Sequence, residues 1–457
     1  MSSKRDLVEA HGFNRRRLIT AFVSGAPGGR EVEPVRYGRT LVAGVVLALL
    51  IVAGAAVSGF LKPAVPTDWK EQGFVIGKTS GSRFVASRGT LFPVINTTSA
   101  RLLLASEGSL DVTFVPDDEI AKAPQGTTIG IVGAPDVLPS PSMLQPTAWT
   151  SCTNQSLGIS TRIDSSAQVS DSPRAAVAVR AHGATWVLTG RRRYQLPATS
   201  TSRSTLRALG LDADPVNDVP GRWLDLLPEG DPLGPFQVPG AGRAITTGVP
   251  GLTKVGTPFL VDGRPFLLDE AGKLRELTDF AFTMYTSSGP GAQLADPDKP
   301  LRLSVADVAR LKTDGDPIYP ASWPESDVQR YDTPSTPCLL MHASADAAPY
   351  TTLATPRQGS SAVPQDDETS SAVTEGHGAL VRGATAQMTR AGSVFLVDST
   401  GTRYAVGQPG SEDATITRLG YTSTDVVSVP RPWLVLFRDG PALTVAAAGA
   451  PATGSTQ

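Results

Sequence analysis

The chain has 457 residues, 40% apolar and 18% charged, with a formal net charge of -2. That composition argues against a disordered chain, and a mildly acidic bulk gives no reason to expect a nucleic-acid partner. The charge is uneven: residues 1–39 hold eight Lys/Arg against four Asp/Glu, net +4, which leaves -6 for the rest.

The first 39 residues read as one helix and a linker. Ser3 and Asp6 have capping-box spacing. Leu7, His11, Leu18 and Phe22 recur at helical spacing, and Gly25 is a natural stop. Arg15, Arg16 and Arg17 flank that stripe. Such a basic amphipathic helix suits anionic lipid or a cytoplasmic partner; the alternative is an exposed tail whose charges only set topology. Thr40–Leu61 follows, 22 residues without a charge. At about 1.5 Å per residue it is long enough to cross a hydrocarbon core of roughly 30 Å. Arg30, Arg36 and Arg39 precede it, against Lys62 alone directly after. The positive-inside bias therefore puts the N-terminus in the cytoplasm and the long remainder outside. A cleaved signal fits less well, because the lead is long and the apolar run exceeds the roughly 7–15 residues of a signal core. Gly54/Ser58 and Ala55/Gly59, small residues four apart, suit close approach of a second membrane helix.

Beyond the span the sequence repeats itself. Gly73–Val85, Ala184–Leu196, Phe266–Leu277 and Ser393–Val406 each alternate apolar and polar residues around a Gly-containing turn. That is a hairpin signal. Each is followed by a Ser or Thr with a short apolar segment (Ser99, Ser204, Thr278 and Thr417), which predicts a capped short helix. Leu209–Leu233 and Leu419–Leu443 align without gaps at an offset of 210, with ten identities in 25 positions. The shared residues include Pro220/Pro430, Trp223/Trp433 and Gly230/Gly440. Such residues set packing and turn geometry, the mark of a duplicated fold unit rather than of a reactive site.

Ala148–Arg180, with Trp149, Cys152 and the alternating run AAVAVRA, and Cys338–Leu353 read as two halves of a central β domain. Cys152 and Cys338 are the two cysteines of the chain. They read as one disulfide or as two buried thiols, and an extracytoplasmic location favours the disulfide. Closing a loop of more than 180 residues, it would stabilise by about 5 kcal/mol in the chain-entropy model. It would also make the second and third repeats an excursion from the centre. Thr355–Gly378 reads as a mobile surface loop and Ala446–Gln457 as a disordered tail. The expected fold class is α+β and β-rich. The expected organisation is residues 1–39 cytoplasmic helix and linker, 40–61 transmembrane helix, 63–140 first repeat and 141–183 first part of the central domain. Residues 184–250 and 251–320 form the second and third repeats, 321–380 the second part of the central domain with its loop, 381–445 the fourth repeat and 446–457 the tail.

Several stretches, in this order and spacing, resemble the EccB family of type VII (ESX) secretion systems of mycobacteria and other actinobacteria. They are HGFNRRRLITAF (His11–Phe22) before a single membrane segment, GFVIGKTSGSRFV, LFPVINTTSARLLL (Leu91–Leu104), IGIVGAPDVLP (Ile129–Pro139) and GPAL (Gly440–Leu443). Val132 and Phe84 depart from the family pattern, which has Pro and Tyr there. The resemblance implies a core subunit of a plasma-membrane secretion complex, with an EccC-type motor ATPase, EccD, EccE and a mycosin protease as partners. It also implies an elongated extracytoplasmic assembly of small repeat domains around a disulfide-linked centre.

Some members of that family are described as ATPases, so a phosphate loop is the chemistry to test. A Walker loop, G-x-x-x-x-G-K-[ST], wraps phosphates in backbone N–H groups. Gly77-Lys78-Thr79 is the candidate, but the position five before Gly77 is Gln72, and Gly73 is one residue too close. The stretch reads as a hairpin, not strand–loop–helix, and ATP is scarce outside a bacterial membrane. His11, His182, His342 and His377 have no second His or Cys at ligand spacing, and no G-x-S-x-G elbow occurs. Asp366-Asp367-Glu368 reads as a solvated cluster. The sequence therefore predicts a scaffold without catalytic residues, metal or cofactor, self-associating outside the plasma membrane. The alternatives are an ATPase acting through Gly73, Gly77, Lys78 and Thr79, and a cell-wall-binding repeat module.

Overall fold

The computed structural model describes residues 4–24, 37–60, 66–105, 109–199, 201–287, 289–294, 296, 299–343, 347–385 and 392–452. The chain divides into two units, residues 1–66 and 67–457. The first holds α1 (Lys4–Ser24) and α2 (Tyr37–Phe60). Ser3, Gly25 and Leu61 lie outside the described residues. α1 exposes Leu7, Phe13, Leu18 and Phe22 along with its arginines. α2 is long and apolar enough to cross a membrane over Gly38–Ala55, because its Val, Leu, Ala and Gly are interrupted by one charge, Arg39, in the first turn.

The second unit holds four copies of one plan and a central sheet. In the first copy β1 (Gln72–Gly77), β2 (Arg83–Ser87) and β3 (Thr90–Pro93) form an antiparallel meander. α3 (Thr97–Leu104) then crosses over, β4 (Val112–Val115) returns parallel to β1, and α4 (Asp117–Ala121) follows. A parallel neighbour requires such a crossover, since tight turns join only antiparallel strands. The chain enters the central sheet as β5 (Trp149–Thr153), β6 (Ile159–Ile163) and β7 (Val169–Asp171). The second copy is β8 (Ala175–Ala181), β9 (Ala184–Thr189), β10 (Arg192–Gln195), α5 (Thr201–Ala208), β11 (Asn217–Asp218) and α6 (Gly221–Leu224). The third is β12 (Pro258–Val261), β13 (Arg264–Leu268), β14 (Leu274–Glu276), α7 (Asp279–Ser287), α8 (Gly289–Leu294), β15 (Leu301–Leu303), α9 (Val305–Val308) and β16 (Thr313–Asp314). β17 (Gln329–Arg330) joins the second copy's sheet beside β8. β18 (Cys338–His342), β19 (Tyr350–Pro356) and β20 (Thr369–Val373) complete the central sheet, in the order β20-β6-β5-β18-β19-β7. The fourth copy is β21 (Ala379–Ala384), β22 (Val394–Val397), β23 (Thr402–Val406), α10 (Glu412–Leu419), β24 (Val427–Pro430), α11 (Arg431–Leu434) and β25 (Arg438–Asp439), followed by α12 (Val445–Ala448).

Some details differ from the sequence reading. The AAVAVRA run is the first strand of the second repeat, not part of the central domain; alternation marks a strand without naming its partner. Gly73–Val85 joins the first and second strands of its repeat, whereas the other three predicted hairpins join second to third. Its equivalents are the tight turns His182-Gly183 and Asp262-Gly263, with both residues at positive φ, as hairpin turns of two residues require. Thr369–Val373, inside the expected mobile loop, is an edge strand parallel to β6. Residues 446–452 of the expected disordered tail are tied down: Ala448 is buried, Ile129 pairs with Pro451, and Ala452 N–H donates to the Thr128 carbonyl at 2.9 Å. Residues 453–457 lie outside the described residues. α3 is capped by Asn96, whose side chain accepts from Ser99 N–H at 2.9 Å, rather than by Ser99. Thr278 does cap α7, accepting from Ala281 N–H at 3.1 Å, but Ser204 and Thr417 lie inside α5 and α10.

The largest core forms on one face of the central sheet. Trp149, Leu339, Met341 and Leu353 pack there with Val177, Val179 and Trp223 of the second copy and Val381, Val429 and Trp433 of the fourth. On the other face of the same strands, where side chains alternate, Cys152, Cys338 and Ala354 pack with Ala362.

Candidate functional site

The Lys78 turn is where a nucleotide would have to bind. β1 ends at Gly77, the chain folds back through a Gly77 N–H···O Ser82 bond of 2.9 Å, and β2 begins. No helix opens there. Gly73 sits inside β1 opposite Ala86, so the two glycines belong to a strand and not to a loop. The backbone N–H groups of Thr79 and Ser80 point to one acceptor, the Asp117 carboxylate, at 2.9 and 3.4 Å. Asp117 opens α4, and Lys78 N–H donates to the Val115 carbonyl at 2.9 Å, so β4 carries Asp117 to the turn. Hydrogen bonds from the Ser80 side chain and the Thr79 N–H hold the Asp117 carboxyl below the usual carboxylate range. The carboxylate approaches so closely that a Cβ on Gly77 would stand within 3.0 Å of it. The amides that would cradle a phosphate thus already hold an anion, with Asp118 beside it along the same depression. Lys78 itself is exposed.

The duplicated residues converge on the central sheet. Pro220 and Pro430 open α6 and α11, in keeping with fixed proline φ at a helix start. That short helix aims Trp223 and Trp433, both fully buried, at the same sheet face. Trp223 Nε1 donates to the Ser151 carbonyl at 3.1 Å, and Trp433 Nε1 to Thr351 Oγ1 at 2.9 Å. Gly230 and Gly440 lie over the rings of Tyr194 and Tyr404, another pair offset by 210; a Cβ on either glycine would come within 3.0 Å of the ring. Their N–H groups donate to Arg193 and Arg403 carbonyls, each at 2.8 Å. These residues fasten each copy to itself and to the centre.

Cys152 and Cys338 form a disulfide between facing positions of β5 and β18. The histidines are dispersed. His342 Nε2 bonds Thr352 Oγ1 at 2.9 Å and its ring stacks on Tyr350, with burial pushing its pKa down. His182 meets Asp225 at 3.3 Å, and His377 the Glu375 carbonyl at 3.0 Å. Among the described residues no group of three or more His, Cys, Asp or Glu is placed to hold a metal ion. The sequence reading missed Asp117, 38 residues from the turn it closes. It also missed Tyr194 and Tyr404, although the offset of 210 marks them, and Arg418, whose Nη1 donates to the Leu102 carbonyl at 3.2 Å and so ties α10 to α3.

A family model described as type VII secretion system ESX-1, transport TM domain B, matches residues 1–453. The Mycobacterium tuberculosis H37Rv protein named ESX-1 secretion system ATPase EccB1 is 27% identical over 446 residues, covering 90% of this chain and 87% of the relative. The ESX-5 secretion system ATPase EccB5 of the same strain is 28% identical over 330 residues, covering 68% and 63%. Among solved structures, a chain of an intact ESX-5 inner membrane complex aligns with TM-score 0.63 at 22% identity, covering 100% of this chain and 97% of that one. An EccB3 dimer from the ESX-3 core complex aligns with TM-score 0.66 at 22% identity, covering 83% and 100%. The structural likenesses show a shared fold, and the family match shows descent: the chain belongs to the EccB family, the membrane components of type VII secretion systems.

Proposed function

We propose that this chain is a structural core subunit of a type VII secretion complex in the plasma membrane. α2 is its single membrane pass, the N-terminus is cytoplasmic, and residues 67–457 lie outside, where they self-associate. An EccC-type motor ATPase, EccD, EccE and a mycosin protease are its expected neighbours. The observation that carries this reading is the family match along residues 1–453. The three arginines before α2's apolar stretch support the orientation, and the inner membrane complex and dimer in which structural relatives were solved support assembly. The test is native electrophoresis of detergent-solubilised membranes. The complex should disappear when this chain is deleted and return with the full chain. A complex unchanged by the deletion, together with purified protein that stays monomeric at every concentration, would overturn the reading.

ATP hydrolysis is the second reading, favoured by the word ATPase in the relatives' names. Against it stands Asp117, which places a negative charge on the amides a phosphate would need. Under the scaffold reading Lys78→Ala changes neither complex assembly nor any hydrolysis by purified protein. Loss of hydrolysis with the fold intact would establish the enzymatic one.

A further inference from the structure

We propose that the segment Arg357–Glu368 is a lid controlling thiol access to the Cys152–Cys338 disulfide, and that Asn154 is its latch. Neither cysteine is exposed. Ala362 of the segment is itself fully buried and packs with both cysteines, Val169 and Ala354, with Val363 beside it. Residues 357–359, 361 and 365–368 face solvent. The segment therefore touches the bridge through one small plug on a backbone that is otherwise outside.

Few bonds hold that backbone down. Asn154, two residues beyond Cys152, donates from Nδ2 to the Pro364 and Asp366 carbonyls, each at 2.9 Å. Its side-chain oxygen accepts from Gly158 N–H at 2.9 Å. Ile159 N–H donates to the Glu368 carbonyl at 3.0 Å, and Arg357 N–H to the Gln168 carbonyl at 3.1 Å. A primary amide suits the clamp because one planar group supplies two donors and an acceptor. Gly158 lies directly beneath: a Cβ there would stand within 3.0 Å of the Asp366 carbonyl.

Reduction needs a thiolate to reach a sulfur. One thiolate of a dithiol attacks one Sγ and expels the other cysteine as a thiolate. The second thiol then attacks the mixed disulfide, frees the first cysteine, and the reductant departs as a cyclic disulfide two electrons poorer. With the lid seated neither sulfur is reachable, so the reduction rate reports the open fraction of the lid.

The experiment reduces full-length protein in detergent micelles with dithiothreitol, traps free thiols with a maleimide polymer and reads the shift by non-reducing electrophoresis. Asn154→Ala is expected to speed reduction about tenfold or more, the ratio for losing two ordinary hydrogen bonds. Asn154→Asp keeps the acceptor but loses both donors, and Gly158→Ala pushes the lid off; both should be comparably fast. Tyr421→Phe in the fourth repeat, which loses a bond to the Pro139 carbonyl, should stay within about twofold of the unaltered protein. Opening of the lid alone exposes little surface, so the rate should depend weakly on urea. An unchanged rate in Asn154→Ala overturns the proposal. So does acceleration of every variant, Tyr421→Phe included, with the steep urea dependence of global unfolding.

Discussion

Trp433→Ala should detach the fourth repeat from the central sheet. The indole is fully buried and its Nε1 donates to Thr351 Oγ1 at 2.9 Å. Truncating a buried Trp to Ala costs about 3–5 kcal/mol, and a lost hydrogen bond to a buried hydroxyl adds about 1 kcal/mol. The sum, about 4–6 kcal/mol, approaches the whole stability of a typical domain, about 5–15 kcal/mol. Thr351→Val leaves the buried Trp433 N–H without its acceptor and should cost about 1–3 kcal/mol. Val435→Ala, two residues on at 59% exposure, should stay within about 0.5 kcal/mol. A chain of several domains does not unfold in one step, so the assay is pulse proteolysis of the full chain across a urea series, with the fragment containing residues 379–452 followed separately. A Trp433→Ala midpoint indistinguishable from that of Val435→Ala would refute the reasoning. So would a Thr351→Val cost as large as that of Trp433→Ala, which would move the energy from packing to the hydrogen bond.

Gly230→Ala and Gly440→Ala should each destabilise by about 1–3 kcal/mol in thermal unfolding, because the new methyl meets the Tyr194 or Tyr404 ring; a second change of the tyrosine to a smaller apolar residue should recover part of the loss. Cys152→Ser should cost up to about 5 kcal/mol and migrate more slowly than the intact protein on non-reducing electrophoresis, and equal mobility would exclude the bridge. Burial pushes Tyr194 and Tyr404 up to about 12, from an ordinary 10.0. Above pH 10 the unfolded chain therefore releases these protons first, so their contribution to stability is intact below pH 10 and lost as pH rises towards 12. Ultraviolet titration of phenolate checks it: simultaneous titration of every tyrosine near pH 10 with the fold intact would contradict the burial argument.

The hairpins and α2 were legible because alternation and unbroken apolarity are local properties of a sequence. The duplicated Pro, Trp and Gly were legible because two copies of one fold unit repeat the same steric demands. What escaped was pairing across distance. AAVAVRA looks the same whether its neighbour is β6 or β9, and it pairs with β9. Asn96 and Ser99 are both good caps, and only the helix register chooses between them. The tail lacks large apolar residues, yet residues 450–452 are held by backbone bonds to Thr128 and Gly130, which no side-chain pattern encodes. Asp117 is one carboxylate in a run of acidic residues until β4 carries it to the Lys78 turn.

The central sheet sets an order of events on the growing chain. β5 lies beside β18, with the two cysteines 186 residues apart. Until residue 338 has been synthesised, β5 has β6 on one flank and an open edge on the other. Open edges invite pairing with other chains, and distant contacts form late because loop closure must come first. The second repeat, whose elements β8 to α6 have all been made by residue 224, lacks until β18 and β19 emerge the sheet face that Trp223 packs against. Maturation of this protein should therefore be paced by its middle: both flanking copies acquire their shared foundation only after the third copy has emerged.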